Sequence, residues 1–229
     1  MWHLMKKQEL VMLVNKLGQK YSEMLGINVD SGDDKEIFKW FLAAVLFGAP
    51  ITETSVLKTY RCFERRKVLT PEKILQTGWQ GLVEILDEGS YTRYDYKTAD
   101  KLLEVIKNLE TKYGGSLNQV HRQAVDSIDL ENRLKELGKG IGDVTVGIFL
   151  RELRMIWGKA NPKPTPLVVS AAKTFEMIRA ESPEKALKEL QDFWRKNAVE
   201  GKSFINFETA LLHLGKDLRR KRRKSERLP

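Results

Sequence analysis

The stretch that decides the fold is Leu134-Lys-Glu-Leu-Gly-Lys-Gly-Ile-Gly-Asp-Val-Thr-Val-Gly-Ile-Phe-Leu150. Apolar residues on both sides of the glycines recur with helical spacing, which predicts two helices joined by a glycine-rich turn. Gly140 and Gly142 flank one aliphatic residue, Ile141. Two glycines so placed allow a tight turn whose backbone N–H groups can approach a phosphate, because no Cβ stands in the way. We expect Ile141 to anchor this turn in the core.

The rest of the chain also has helical patterning. No segment combines strict alternation of apolar and polar residues with hairpin turns, so the expected fold class is all-α. Prolines at 162, 164 and 166 predict an extended linker, because each disfavours helix in the residue before it. The predicted helices cover residues 4–25, a buried run ending at 49, 52–62, a start at 71, 79–86, 96–111, 130–137, 142–157, 167–180, 183–197 and 204–222.

Composition excludes several classes of protein. The single cysteine, Cys62, rules out an intramolecular disulfide and any all-cysteine zinc or iron–sulfur site. The three histidines show no metal-ligand spacing, so we expect no metal and no cofactor. No apolar stretch is long enough to span a bilayer, and the N-terminus lacks the pattern of a signal peptide. We therefore expect a cytoplasmic protein without a membrane partner.

The net charge of +9 is concentrated at one end of the chain. Residues 216–227 contain eight Lys or Arg against two acidic residues, so they contribute +6 of that total. A basic segment favours a polyanionic partner, and Arg222 and Arg223 are its candidate phosphate contacts. A solvated helix end explains the same segment equally well.

Three motifs occur in an order that resembles the helix-hairpin-helix DNA glycosylase superfamily, whose best-known branch is bacterial endonuclease III. Leu46-Phe-Gly-Ala-Pro-Ile-Thr-Glu-Thr-Ser-Val56 is similar to the early helix-end motif of that family. Tyr96-Lys-Thr-Ala-Asp-Lys-Leu102, continuing to Tyr113-Gly-Gly115, resembles the helix that leads to the hairpin. Residues 140–145 resemble the hairpin itself. Together the three motifs cover roughly residues 35–175.

The resemblance implies a six-helix barrel packed against a second helical domain. The barrel would comprise residues 32–157 and end in the helix-hairpin-helix. Residues 1–31 and 158–229 would form the second domain, with the basic segment at its end. Double-stranded DNA would bind across the cleft and without sequence specificity, because repair proteins must engage any sequence.

The resemblance also implies residues for DNA contact. Backbone amides of the hairpin and nearby basic residues would hold the phosphates, and the target base would be flipped out of the stack. Apart from the resemblance, Tyr91 and Tyr94, with Arg93 between them, form an aromatic and basic cluster that could line a base pocket or face a phosphate. A plain polar loop explains the same residues. Pro50 stands where endonuclease III has the residue that fills the gap left by the flipped base. The expected hairpin contacts are Lys139, Gly140, Ile141, Gly142 and Thr145.

The chain departs from the family at the positions that perform chemistry. Val144 replaces the lysine that forms a Schiff base, so β-lyase activity of the usual kind is not expected. Val169 stands at the position of the family's catalytic aspartate, and no Asp or Glu lies between Glu152 and Glu176. The nearest carboxylate is Asp143, which either complements the helix dipole or acts as a relocated catalytic acid. The iron–sulfur cysteines of endonuclease III are absent.

Three functions therefore stay open at this point. The first is a monofunctional DNA N-glycosylase of base excision repair, acting on a base that already leaves easily, such as an alkylated purine. The second is a DNA-binding member of the same family without catalysis. The third is a helical protein-interaction module. Either DNA-binding function would place the protein in the cytoplasm, and at the nucleoid in a prokaryote; the oligomeric state stays open.

Overall fold

The computed structural model describes residues 5–226. Regular structure in that range consists of α-helices and one 3₁₀ turn (Val29–Ser31), without a strand, which confirms the all-α class. The helices are α1 (Lys7–Leu17), α2 (Tyr21–Met24), α3 (Asp34–Phe47), α4 (Glu53–Arg65), α5 (Pro71–Glu88), α6 (Asp95–Tyr113), α7 (Leu117–Gln123), α8 (Ser127–Lys135), α9 (Asp143–Glu152), α10 (Pro166–Thr174), α11 (Pro183–Asn197) and α12 (Phe204–Ser225).

The chain divides into two compact units. One comprises Ser22–Pro162 and contains α3 to α9. The other combines Met1–Tyr21 with Lys163–Pro229, of which residues 5–21 and 163–226 are described, and contains α1 and α10 to α12. The units change over after residues 21 and 162, whereas the division expected from the sequence lies after residues 31 and 157.

Helix α3 forms the centre of the unit 22–162. It packs on α4, α7 and α9, and its side chains from Ile37 to Leu46 are buried with the exception of Lys39. The Trp40 Nε1–H donates to the Phe149 carbonyl at 3.0 Å, which satisfies the polar atom of a fully buried indole. Each large side chain buried in this way contributes about 1.5–3 kcal/mol to folding. The apolar run before Pro50 is thus a core helix, as predicted.

Helix α7 is absent from the predictions, and the start of α3 shows how it is held. The Asp34 carboxylate accepts from the Ser116 hydroxyl at 2.9 Å and from the Asn118 backbone N–H at 3.1 Å. The Ser116 hydroxyl in turn accepts from the Gln119 N–H and caps α7. A helix of seven residues with only two buried apolar side chains has too few positions for a helical period to be recognised.

Helix α5 contains a break where the sequence predicts a boundary between two short helices. Gly78 has φ 65° and ψ 176°, a conformation that interrupts the helix between Pro71 and Glu88. Helix α5 packs on α6 and also contacts α4. Directly after the break, the Trp79 Nε1–H donates to the Asp100 carboxylate of α6 at 2.9 Å. These contacts orient α6, the helix against which the glycine-rich turn lies.

In the other unit, α1 is shorter than predicted. It ends at Leu17 with Gly18 as its C-cap, and α12 approaches this glycine so closely that a Cβ there would lie 2.7 Å from the Asn206 carbonyl oxygen. The Asn206 amide donates to the Gly18 carbonyl at 2.8 Å and holds the two segments together. The prediction of one helix over residues 4–25 is therefore wrong, and residue 4 lies outside the described residues. Two other helices also end earlier than predicted, α9 at Glu152 and α10 at Thr174.

No helix within residues 5–226 has both the length and the apolar content needed to cross a bilayer.

Candidate nucleic-acid interface

The loop of residues 136–142, here called the hairpin loop, joins α8 to α9 as the glycine spacing predicted. Gly140 has φ 86°, a left-handed conformation that side chains other than glycine rarely adopt. Ile141 is buried, and its N–H donates to the Gly138 carbonyl at 3.1 Å, so it anchors the loop in the core as expected. Lys139, Gly140 and Gly142 are exposed. The loop thus presents a backbone with few side chains to solvent.

The hairpin loop runs along one face of α6. The Lys112 ammonium donates to the carbonyl of Glu136 at 3.4 Å, and the Asn108 amide donates to the carbonyl of Leu137 at 2.8 Å. One turn earlier on α6, Val105 lies against Gly138, where an added Cβ would be 2.6 Å from its Cγ2. These contacts hold the loop by its inner side and leave its outer side exposed.

At the end of the same face, Lys101 lies against Gly140. A Cβ on Gly140 would be 3.0 Å from the Lys101 Cε and 3.4 Å from its Nζ. Lys101 is not among the residues selected from the sequence. It follows the other loop-facing positions of α6 at a spacing of about four residues, so the helical period could have identified it once the loop was known to pack on α6.

Gly142 caps the N-terminus of α9. Its φ of −111° and ψ of −173° are open to any residue, and a Cβ at this position would meet nothing within 4 Å. The first backbone hydrogen bond of α9 runs from the Val146 N–H to the Gly142 carbonyl. The amides of the preceding helical turn have no intrahelical acceptor, and the helix dipole makes this end electropositive.

The two candidate positions for chemistry on α9 lie on the surface. Val144 is 64% exposed, and its neutral side chain can neither accept nor donate a proton. The Asp143 carboxylate is 2.5 Å from the Lys135 Nζ, in an ion pair that is open to solvent on the Asp143 side. This pairing offsets the negative charge that Asp143 would otherwise place beside the hairpin loop.

Thr145 does not belong to the exposed surface. Its side chain is 2% exposed and packs so closely on Gly48 that a Cβ there would clash with the hydroxyl. Thr145 is among the expected hairpin contacts, but packing of α3 against α9 encloses its side chain, which leaves only its backbone for such a contact. The same contact places the α3–α4 connection, with exposed Pro50, beside the first turn of α9.

The aromatic cluster is divided between core and surface. Tyr91 is fully buried, its hydroxyl donates to the Leu46 carbonyl at 2.7 Å, and burial raises the pKa of its phenol well above the usual range. It is therefore a core residue, and its assignment to a base pocket is corrected. Tyr94 is half-buried and lies edge-on to Tyr91 at 6.5 Å between ring centroids. Arg93 is exposed, with its guanidinium carbon 5.5 Å from the centre of the Tyr94 ring.

The remaining candidates lie in the other unit. Val169 is half-buried in α10. Arg222 and Arg223 are exposed near the end of α12, and the Arg222 Nε is 3.1 Å from a carboxylate oxygen of Glu226. Arg227, the last basic residue of the segment, lies outside the described residues.

The described residues contain no group of three or more His, Cys, Asp or Glu side chains placed to hold a metal ion. Comparison of the chain with protein-family models, with curated proteins and with solved structures found no match.

Proposed function

We propose that this protein binds double-stranded DNA through the hairpin loop, as a member of the helix-hairpin-helix glycosylase superfamily. The proposal rests on the groups that are exposed on the outer side of that loop. Gly140 and Gly142 expose backbone there, and Lys139 adds a cation that has no hydrogen bond or ion pair within residues 5–226. Exposed amides beside a lysine suit the oxygens of a backbone phosphate.

The proposed contact is independent of DNA sequence. The groups at the loop are backbone amides and an ammonium, which bind phosphates and do not read base edges. Binding of this kind releases counterions, so its affinity falls steeply as the salt concentration rises. A protein with this role works in the compartment that holds the DNA, which is the cytoplasm in a prokaryote.

Gly142 allows a test that separates binding from folding. Asp and Asn have nearly the same shape, both are good N-cap residues, and the backbone at Gly142 accepts either. We expect Gly142→Asp and Gly142→Asn to fold equally well. At low salt the Asp variant should bind a short fluorescein-labelled duplex about tenfold more weakly than the Asn variant, because its carboxylate repels the phosphate. Fluorescence anisotropy gives the affinities, and thermal unfolding by circular dichroism gives the control.

Equal affinities of the two variants would contradict the proposal, because a phosphate at the loop must respond to a charge at Gly142. If the wild-type protein also failed to bind duplexes at low salt, the protein-interaction module would replace the present proposal. Gly140→Ala is a poorer probe, since φ 86° strains any side chain and confounds binding with stability.

Base excision is the second candidate function. Asp143 favours it, since this carboxylate lies on the exposed first turn of α9 directly after Gly142. Val144 is no nucleophile, so the activity would be hydrolysis of the glycosidic bond without strand cleavage. Single-turnover incubation with duplexes containing uracil, hypoxanthine, 8-oxoguanine or 3-methyladenine, followed by hot alkali, tests this candidate. Cleavage at one lesion that Asp143→Asn abolishes would establish it, and uncut DNA under conditions of full binding would exclude it for these bases.

A further inference from the structure

Lys101 is a half-buried lysine without a counterion. Its side chain extends from α6 along Gly140, as the distances to the Gly140 Cβ position show. Within residues 5–226 its ammonium has no hydrogen bond and no ion pair. Burial alone lowers its pKa, with no carboxylate contributing in the other direction. A cation in this position is destabilised until an anion approaches it.

The neighbouring contacts show that other residues hold the loop on α6 without a hydrogen bond from the Lys101 ammonium. Lys112 and Asn108 donate to the carbonyls of residues 136 and 137, and Val105 packs on Gly138. Those three side chains account for the attachment of the loop to α6. Lys101 lies against the exposed Gly140 on the same face, but its ammonium donates to no carbonyl. All the N–H groups of the ammonium therefore stay available to a ligand.

Lys101 and Lys139 lie at the exposed side of the loop but belong to different elements. Lys139 belongs to the loop itself and projects into solvent, whereas Lys101 comes from α6 and is partly shielded from water. A partly shielded charge has less hydration to lose on binding and acts in a medium of lower effective dielectric constant. It therefore attracts a phosphate more strongly than a fully solvated lysine does.

On the basis of the proposed function, we infer that Lys101 is a DNA-backbone contact in its own right, and that its ammonium binds a phosphate oxygen next to Gly140. The ligand is a phosphodiester of the duplex. The two lysines then provide a half-buried and an exposed charge at the same loop, and the half-buried one determines how closely the phosphate approaches the Gly140 backbone.

The salt dependence of binding tests this inference. Lys101→Met preserves the length and packing of the side chain and removes its charge. For a short fluorescein-labelled duplex, we expect the slope of log affinity against log salt to decrease by about 0.9, and the affinity at low salt to fall about tenfold. Lys101→Arg should restore most of the slope, and Lys101→Gln should behave like the Met variant. The matched control is Lys107→Met, an exposed lysine about 120° around α6 from Lys101, which should leave the slope unchanged.

Unchanged affinity and slope in Lys101→Met and Lys101→Gln, in a protein whose Gly142→Asp variant still loses affinity relative to Gly142→Asn, would overturn the inference and leave the proposed function standing. Equal affinities of the two Gly142 variants would overturn both. Thermal unfolding separates binding from folding, because removal of a half-buried unpaired charge should leave the midpoint unchanged or raise it.

Discussion

At the scale of single residues, the surroundings of His121 should make the stability of the fold depend on pH. Its ring lies parallel to that of Trp157, with 4.8 Å between centroids and 5° between planes. Its Nε2 is buried without a hydrogen-bond partner in the described part of the chain. Lys159 donates to the His121 carbonyl at 2.8 Å. Burial, followed by the charges of Lys159 and Arg122, lowers the pKa of the imidazole.

In the unfolded chain the pKa of a histidine is about 6.5. Because the pKa of His121 is lower in the folded protein, the unfolded chain binds more protons than the folded protein once the pH falls below that value. The stabilisation from neutral His121 is complete above the pKa of the unfolded chain. It is lost as the pH falls from that pKa toward the lower pKa of the folded protein. We expect His121→Phe, which retains a ring against Trp157, to flatten this part of the stability profile. Urea unfolding of both proteins at a series of pH values between about 7 and 5 measures the difference. Parallel profiles would show that His121 does not titrate in this way.

At the scale of elements, α6 and the hairpin loop approach each other closely because Gly138 has no side chain. Gly138 of the hairpin loop lies directly against α6. Val105 occupies the space, with its Cγ2 2.6 Å from the position of a Cβ at Gly138. Gly138 does not have a positive φ, so an alanine would be limited by this contact and not by backbone conformation.

We expect Gly138→Ala to lower the free energy of unfolding by about 1–3 kcal/mol through overpacking against Val105. In the double variant Val105→Ala/Gly138→Ala, the new methyl group occupies part of the space that the valine leaves. The loss should then be smaller than the sum of the two single losses, by about 0.5 kcal/mol or more. Urea denaturation gives the four free energies of the cycle. Additive losses would mean that the loop moves away from α6 to accept the alanine.

At the scale of the whole molecule, the net positive charge has an uneven distribution. Residues 219–224, all basic, are exposed on the last turns of α12. Part of this charge is offset by ion pairs, of Arg220 with Asp217 at 3.2 Å and of Arg222 with Glu226 at 3.1 Å. Exposed pairs of this kind are weak, so phosphates can compete for these arginines.

We expect the double variant Arg222→Gln/Arg223→Gln to bind all duplexes more weakly, with a salt slope reduced by about 0.9 for each phosphate that the segment no longer neutralises. The ratio of affinities between Gly142→Asn and Gly142→Asp should be the same in this background as in the wild type, because the end of α12 supplies general attraction. Anisotropy titrations over a range of salt concentrations measure both quantities. An unchanged slope would assign the segment to a solvated helix end.

Local sequence was sufficient wherever a feature depends on neighbouring residues. The helical class, the turn between α8 and α9 and the burial of Ile141 follow from apolar spacing and from the position of Gly140 and Gly142. The predicted helix start at residue 71 is also correct, because the signal of a proline at the first helical position acts within one turn of the chain. The exposed part of the candidate site, with Lys139 and the two glycines, was predictable for the same reason.

Only the tertiary structure decided which polar candidates face solvent. Tyr91 donates to a carbonyl 45 residues away, and Thr145 is enclosed by Gly48 of a distant helix end. Lys101 lies beside Gly140 because the loop packs on α6, and α12 lies against Gly18 at the end of α1. In each case the partner is remote along the chain. Periodicity and capping describe only the nearest few residues, so burial and hydrogen bonding between distant elements are determined when the helices pack.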